Sequence, residues 1–456
     1  MATADLITPF LDQVQAARTA GQPGAGQGWL DRFRAKGLDT FATLGFPNRR
    51  VEEWKFTDIR KLVSADFRAA GPIAGAIHPD LAVMLADETA DAVARLVFVN
   101  GFYRADLSDT SGLPRAVTLT SLSAALVAGN DVVADHLGQV LPDPGRIAGG
   151  AFLGLNTAMS TEGAMLHVPD GVTVDGVIAV LFINDNGGES PTISHPRLLS
   201  VIGANAEATV VEAHLGRDGA GPTLTNFVSE VAVGDGARYH HYRLIREGGR
   251  GYHIANAHIR VGRDAHADTF GLCLAGALTR TEVNARLTGR GGDLRVSGGY
   301  VGDGKRHVDN TSLIDHAVPD CRSRQVFKGV LDDTSRGVFQ GKIIVRRDAQ
   351  RTDGYQLNRA LLLSRKAEIN SKPELEIYAD DVKCSHGATA GEIDADALFY
   401  MRARGIPETV ARRLLVEAFL AEVLEEIGAE PVRARFTALA ASRLNAHGTP
   451  LLEEAA

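Results

Sequence analysis

Val201-Ile202-Gly203-Ala204-Asn205-Ala206, Val233-Gly234-Asp235-Gly236-Ala237, Val261-Gly262-Arg263-Asp264-Ala265 and Leu287-Thr288-Gly289-Arg290-Gly291-Gly292 are four renderings of one turn. Their anchoring glycines, 203, 234, 262 and 289, stand 31, 28 and 27 residues apart. Short apolar-alternating runs flank each turn, and a period in this range is what stacked β-coils produce. A single coil cannot bury its own apolar face, so stacking supplies the core, with β-branched ladders such as those around Val210 and Val211 facing inward. Strands spaced about 8–12 residues apart also suit a large β-sandwich. Four similar turns favour the solenoid.

Outward from these turns, almost every segment between Met165 and Glu376 has the same form, which predicts a β core over residues 161–390. Residues 1–160 read as a helical and α/β region. Helices are predicted from Ala4 to Ala20 and from Trp29 to Leu44, the second ending on Gly45. Leu96-Val97-Phe98-Val99 reads as a strand and Ser121 to Leu141 as mostly helix. Between them and the early helices, Pro47 to Asp58 packs charge around Trp54, the pattern of an aromatic anchor beneath a charged loop. Residues 391–456 turn helical again. Asp394 offers an N-cap for Ala397 to Arg404, Gly405 stops that helix, and Pro407 opens another reaching Ile427. Its stripe of Val410, Leu414, Leu415, Phe419, Val423 and Ile427 can dock a partner or pack on the chain's own core.

Composition narrows the function classes. The 48 basic and 56 acidic side chains of the 456 residues give a formal charge of −8, which argues against a protein living on nucleic acid. Forty-nine glycines with 6% aromatics suit many tight turns. The start, Met1-Ala2-Thr3-Ala4-Asp5, has no export signature, and Val177 to Ile183 is far too short to span a bilayer. Three widely spaced cysteines, Cys273, Cys321 and Cys384, make a disulfide framework improbable and point to a reducing cytoplasm.

The chain lacks a phosphate-binding Gly-x-x-x-x-Gly-Lys-Ser/Thr loop, a His-Glu-x-x-His, a Cys-x-x-Cys and a Gly-x-Ser-x-Gly elbow. ATP hydrolysis linked to it must therefore come from a partner. The positive signal is Ala379-Asp380-Asp381-Val382-Lys383-Cys384-Ser385-His386-Gly387. In extended backbone Cys384 and His386 share a face. Lys383 and a protonated His386 would favour the thiolate, and the pair suits iron, zinc or a transferred sulfur atom. Two ligands make half a tetrahedral site, so a second chain would complete it; a buried thiol beside a surface histidine is the bland alternative. Nine of the 14 histidines fall between His195 and His316, a clustering that suits either a metal route or, as the favoured reading, solvent-facing decoration of strands. Cys273 reads as a core residue.

As a whole, Phe339-Gln340-Gly341-Lys342-Ile343, Thr352 to Leu363, Ser371 to Thr389 and Ala397 to Ile406 resemble the SufB/SufD family of the SUF iron–sulfur assembly system. Pro47 to Thr57 resembles the entry motif of its SufD branch, with Phe56 where Tyr is usual. The resemblance implies a right-handed parallel β-helix core with helical N-terminal and C-terminal regions, and a non-catalytic scaffold rather than an enzyme. It implies a SufB-like subunit and a SufC-like ATPase as partners, no nucleic acid and no membrane. His386 is implied to face a SufB cysteine where the nascent cluster forms, transiently sharing metal there, with Cys384 beside it. The C-terminal region, with Tyr400, Arg402, Arg404, Leu414, Leu415 and Phe419, is implied to engage the ATPase. The resemblance gives no tightly bound cofactor to the chain alone; it places ATP on SufC and reduced flavin on the assembled complex, with no flavin-binding residue assigned here. A homodimeric adaptor without cluster contact, and a β-helix enzyme acting on polysaccharide, are the contrasting readings. Two tryptophans, no export signature and no paired carboxylate candidate on the strand faces weigh against the latter.

Overall fold

The computed structural model describes residues 3–73 and 75–446. Two long, mostly parallel sheets face each other, one strand of each per coil, in a solenoid of about eight turns. The first sheet runs from Gly163–Val168 to Glu368–Ile377 and the second from Thr173–Asn184 to Val382–Gly391. Pairing is in register from coil to coil, with Arg238 opposite Glu207 and His266, and Arg322 opposite Asp293 and Asp353.

The repeated turn explains its residues. A Cβ on Gly289 would lie 1.9 Å from the backbone nitrogen of Arg263, and one on Gly234 would lie 2.8 Å from that of Ala204. Successive turns thus stack backbone on backbone, and only glycine permits the approach. Two residues before each following strand the chain enters the left-handed region, at Asn205, Gly236, Asp264, Gly291 and Asp320, and one residue before the next strand at Arg351. Asn, Asp and Gly are the residues that tolerate this conformation most readily.

The lumen is filled by side chains of alternate residues, among them Leu166, Val180, Val210, Phe227, Ala257, Leu294, Phe339 and Ile343, all buried. The outer face of the first sheet carries the N-terminal helices. Trp54 is fully buried there, stacked on Phe152, with its indole nitrogen donating to the Ala148 carbonyl at 2.8 Å and the Arg280 guanidinium 4.1 Å from its ring centroid. Thr57 follows it inward, its hydroxyl 2.5 Å from Asp309 and 2.9 Å from His307 Nε2. The aromatic anchor expected of this stretch is what folds the N-terminal region onto the solenoid. Ser121 to Leu141 forms two short helices, Leu122–Val127 and Asp131–His136.

The outer face of the second sheet carries the C-terminal helices Glu408–Leu424 and Glu430–Ala446. Leu420, Val423, Leu424, Ile427 and Phe436 are buried with Tyr242, Phe270, Leu272 and Val326 of the coils. The apolar stripe therefore splits. Its later residues pack on the chain's own core, while Leu414 faces out, 40% exposed. Residues 447–456 of the expected C-terminal region lie outside the described residues. Among the described residues no helix is long and apolar enough to cross a membrane.

Candidate functional site at the uncovered end of the solenoid

The last coil pairs on one side only. Glu368–Ile377 and Val382–Gly391 are the terminal strands of their sheets, so each leaves a row of backbone donors and acceptors without a ladder partner among the described residues. Such an edge templates pairing with another chain unless something covers it. The Val382–Gly391 strand continues the inward–outward alternation of its neighbour, with Cys384 opposite Gly354 and His386 opposite Gln356. Gly354 and Gln356 are buried lumenal positions, so Cys384 and His386 belong to the lumenal face of the final coil. The two residues share a strand face, and Lys383 takes the other side of the strand.

The two side chains differ in setting. Cys384 is half-buried and packs against the lumenal core, its sulfur 3.4 Å from where a Cβ of Gly354 would sit. His386 is exposed. Behind them lies a polar floor: Gln356 donates to the Gly341 carbonyl at 3.2 Å, and Asn358 donates to the Ser371 hydroxyl at 2.7 Å, linking the two sheets. Gln356 Oε1 and Asn358 Oδ1 are buried without a partner among the described residues. The role of this floor was not read from the sequence. Its signal is the parity of Thr352–Leu362 against the Cys384 strand.

Cys384 is not the activated thiolate expected beside Lys383 and His386. Burial pushes the Cys384 thiol above its ordinary value, and the Asp353 charge adds to that against a backbone hydrogen bond at Gly354. Lys383 does not enter, because it points away. Without a metal or partner, Cys384 is a protonated thiol at neutral pH. Cys273 is a core residue as expected, its thiol pushed up to about 11 by burial. Cys321 is also buried, donating weakly to the Gly289 and Pro319 carbonyls.

The other candidate residues sit apart from this pair, on the helices after the last coil. Tyr400, Arg402 and Arg404 lie at the end of Ala395–Arg402 and just beyond it, all exposed, with Arg404 stacked 3.4 Å from the Tyr400 ring centroid. Phe399 beside them is 72% exposed and Tyr400 57%. Asp394 caps this helix through the amides of Asp396 and Ala397. Leu414 is exposed and Leu415 half-buried, whereas Phe419 leans onto the solenoid, its ring centroid 4.7 Å from the Lys328 ammonium.

The histidine-rich middle is not surface decoration. His214, His241, His253, His258 and His316 are buried. Inside the lumen Glu212 accepts from His214 Nε2 at 2.8 Å and His241 Nε2 at 3.2 Å, and pairs with Arg243. Burial opposes its ionisation, but the Arg243 charge and these bonds hold the carboxyl well below the usual range. These strands are covered on both faces, so polar residues at lumenal and at outer positions alike are buried rather than facing solvent as expected.

A two-sheet solenoid with one uncovered coil, whose lumenal face ends in a thiol and an imidazole, has the build of an assembly scaffold. Residues 182–419 match the core domain of the SufBD proteins of SUF system FeS cluster assembly, and residues 25–180 match the SufBD N-terminal region. A SufBD family iron–sulfur cluster assembly protein of Synechocystis is 34% identical over 86% of both chains. The Escherichia coli iron–sulfur cluster assembly protein SufD is 33% identical over 93% of this chain and 99% of its own. Bacillus subtilis SufD is 26% identical over 89% of this chain and 92% of its own. The chain belongs to the SufBD family of the SUF iron–sulfur cluster assembly system. Within that family it is SufD-like.

Proposed function

We propose that this chain is a non-catalytic scaffold subunit that seats a SufB-like subunit on its uncovered last coil and forms the cluster site at that interface. One observation carries the reading: Cys384 and His386 share the lumenal face of a strand whose outer edge is unpaired. A partner strand added there completes the ladder and brings its own ligands over the imidazole. His386 is the ligand offered to the nascent cluster, because it is exposed and neutral imidazole binds iron without losing a proton. Cys384 would ligate only after the incoming metal displaces its proton. Iron and sulfide are cargo held between two chains, not a group resident in this one.

The exposed Phe399, Tyr400 and Leu414, with the exposed Arg402, Arg404 and Arg413 on or just beyond the same two helices, supply the surface for a SufC-like ATPase. The helix bearing Leu414 also packs into the second sheet through Val416, Leu420 and Val423, so a pull on its outer face reaches the coils directly. ATP hydrolysis stays with the partner. The test is His386→Ala in the co-expressed three-subunit complex, with iron and acid-labile sulfide measured on the purified assembly. A large loss of both, with all subunits still co-purifying, is expected; unchanged contents would refute the role of His386.

A further inference from the structure

His214, on the Glu207–Gly216 strand, and His253, on Gly251–Val261, meet inside the solenoid from opposite sheets, their ring centroids 4.5 Å apart and their planes at 68°. Glu247, in the corner after the Arg238–Arg246 strand, lies beside them. All three are buried, and one donor atom from each lies within 4.8 Å of the other two.

The surrounding hydrogen bonds fix which atoms are free. His214 Nε2 is 2.8 Å from Glu212 Oε1. That carboxylate can only accept, so Nε2 carries the proton and Nδ1 keeps a lone pair. His253 Nδ1 is 2.9 Å from Glu247 Oε1, which also accepts from the Thr225 hydroxyl at 2.8 Å. His253 Nδ1 therefore carries the proton, and Nε2 keeps the lone pair. His214 Nδ1, His253 Nε2 and Glu247 Oε2 have no hydrogen-bond partner among the described residues. Nor does any arginine or lysine among them reach Glu247 at salt-bridge distance. His214 Nδ1 and Glu247 Oε2 are thus acceptors in a dry interior with no donor and no cation, which is costly unless a cation serves them.

We propose that His214, His253 and Glu247 form an internal site for one divalent transition-metal ion of the Zn²⁺ or Fe²⁺ type. Two imidazoles and a carboxylate suit such an ion, and an imidazole that donates its other nitrogen to a carboxylate is the usual arrangement around one. Metal–nitrogen bonds of about 2.0–2.1 Å place donors roughly 3.4 Å apart, so an ion held by His253 Nδ1 and the Glu247 carboxylate takes the place of the proton between them, and side-chain rotation brings in His214 Nδ1. Entry is through the cavity of about 370 Å³ at the solenoid corner, lined by Gly216, Arg217, Asp218, Arg246 and Glu247. Glu212 is a positioning residue, set one shell out and holding the His214 tautomer.

The test uses the full chain, stripped with a chelator and then titrated with Co²⁺ and Zn²⁺. One equivalent resistant to dialysis is expected, with visible Co²⁺ ligand-field bands and a higher unfolding temperature. Glu247→Gln should abolish that equivalent, and Glu212→Gln should weaken it by about 10–100-fold. Two further groups could bind added metal: the half-buried cluster of His240, His266 and Asp268, and the Cys384–His386 pair. The double variants His240→Ala/His266→Ala and Cys384→Ala/His386→Ala should therefore keep the equivalent. Absence of any dialysis-resistant ion in the wild type, or its loss in a surface double variant with retention in Glu247→Gln, overturns the proposal. If Glu247→Gln does not fold, the wild type decides: a Zn²⁺-dependent rise in unfolding temperature that survives both surface double variants supports the site, and no rise refutes it.

Discussion

The two ends of the solenoid are built differently. At the N-terminal end both sheets finish on short antiparallel strands, Thr118–Ser121 on the first and Phe102–Tyr103 on the second, and helices cover the coils beside them. At the C-terminal end both sheets stop on full-length parallel strands with nothing described beyond them. Stacked coils need capping at their ends to stay soluble and monomeric. One end meets that need within the chain. The other keeps long edges, and on those edges the lumenal alternation delivers Cys384 and His386 to the surface. The contrast separates residues that hold the fold from residues left on an unpaired edge, and it can be broken by mutation on either side.

The largest effect is expected on the capped side. Trp54→Ala removes a fully buried ring that joins the N-terminal region to the coils, and should destabilise the chain by about 3–5 kcal/mol in denaturant titration. A cost below about 1 kcal/mol, within the range of ordinary surface changes, would show that Trp54 is not the anchor.

Acid should act through the covered coils next. His258 is buried without hydrogen-bond partners, and burial lowers its pKa from 6.5 to about 3, with the nearby Arg197 charge adding to the effect. The unfolded chain therefore binds a proton here that the folded chain refuses. Stability is full above pH 6.5 and falls as the pH drops toward about 3. His258→Leu should flatten the unfolding-temperature profile over that window; an unchanged profile would remove His258 from the acid response.

At the uncovered end, stability should barely respond. His386→Ala and Leu414→Asp are each expected to change unfolding free energy by less than about 0.5 kcal/mol, since neither side chain is buried. Leu414→Asp should nonetheless reduce co-purification of the SufC-like ATPase. A large stability loss, or intact ATPase capture, would mean that the outward half of this helix serves the chain's own fold.

The same contrast marks what could be read from sequence. The stacked turns were legible because backbone contact admits only glycine at 234, 262 and 289, and a left-handed residue follows each. The sharing of a face by Cys384 and His386 was legible because strand parity needs no knowledge of neighbours. The lumenal histidines were not, since a strand buried on both sides has no polar face to betray its orientation. The Cys384 thiol was misjudged for a related reason: charges near in sequence, such as Lys383, point away, while burial comes from coils 30 residues back. The C-terminal stripe reads as one continuous face in the sequence, because its period runs past the point where the helix turns to pack on the coils with Val326 and Tyr242.

The most direct measurement is amide hydrogen exchange along Val382–Gly391, in the chain alone and in complex with a SufB-like subunit. An edge strand that becomes an interior strand should exchange fast when free and slow strongly in the complex, while the capped N-terminal strands stay unchanged. Exchange at Val382–Gly391 that is already slow in the free chain, or that the partner leaves untouched, would contradict the claim that the last coil is the assembly surface.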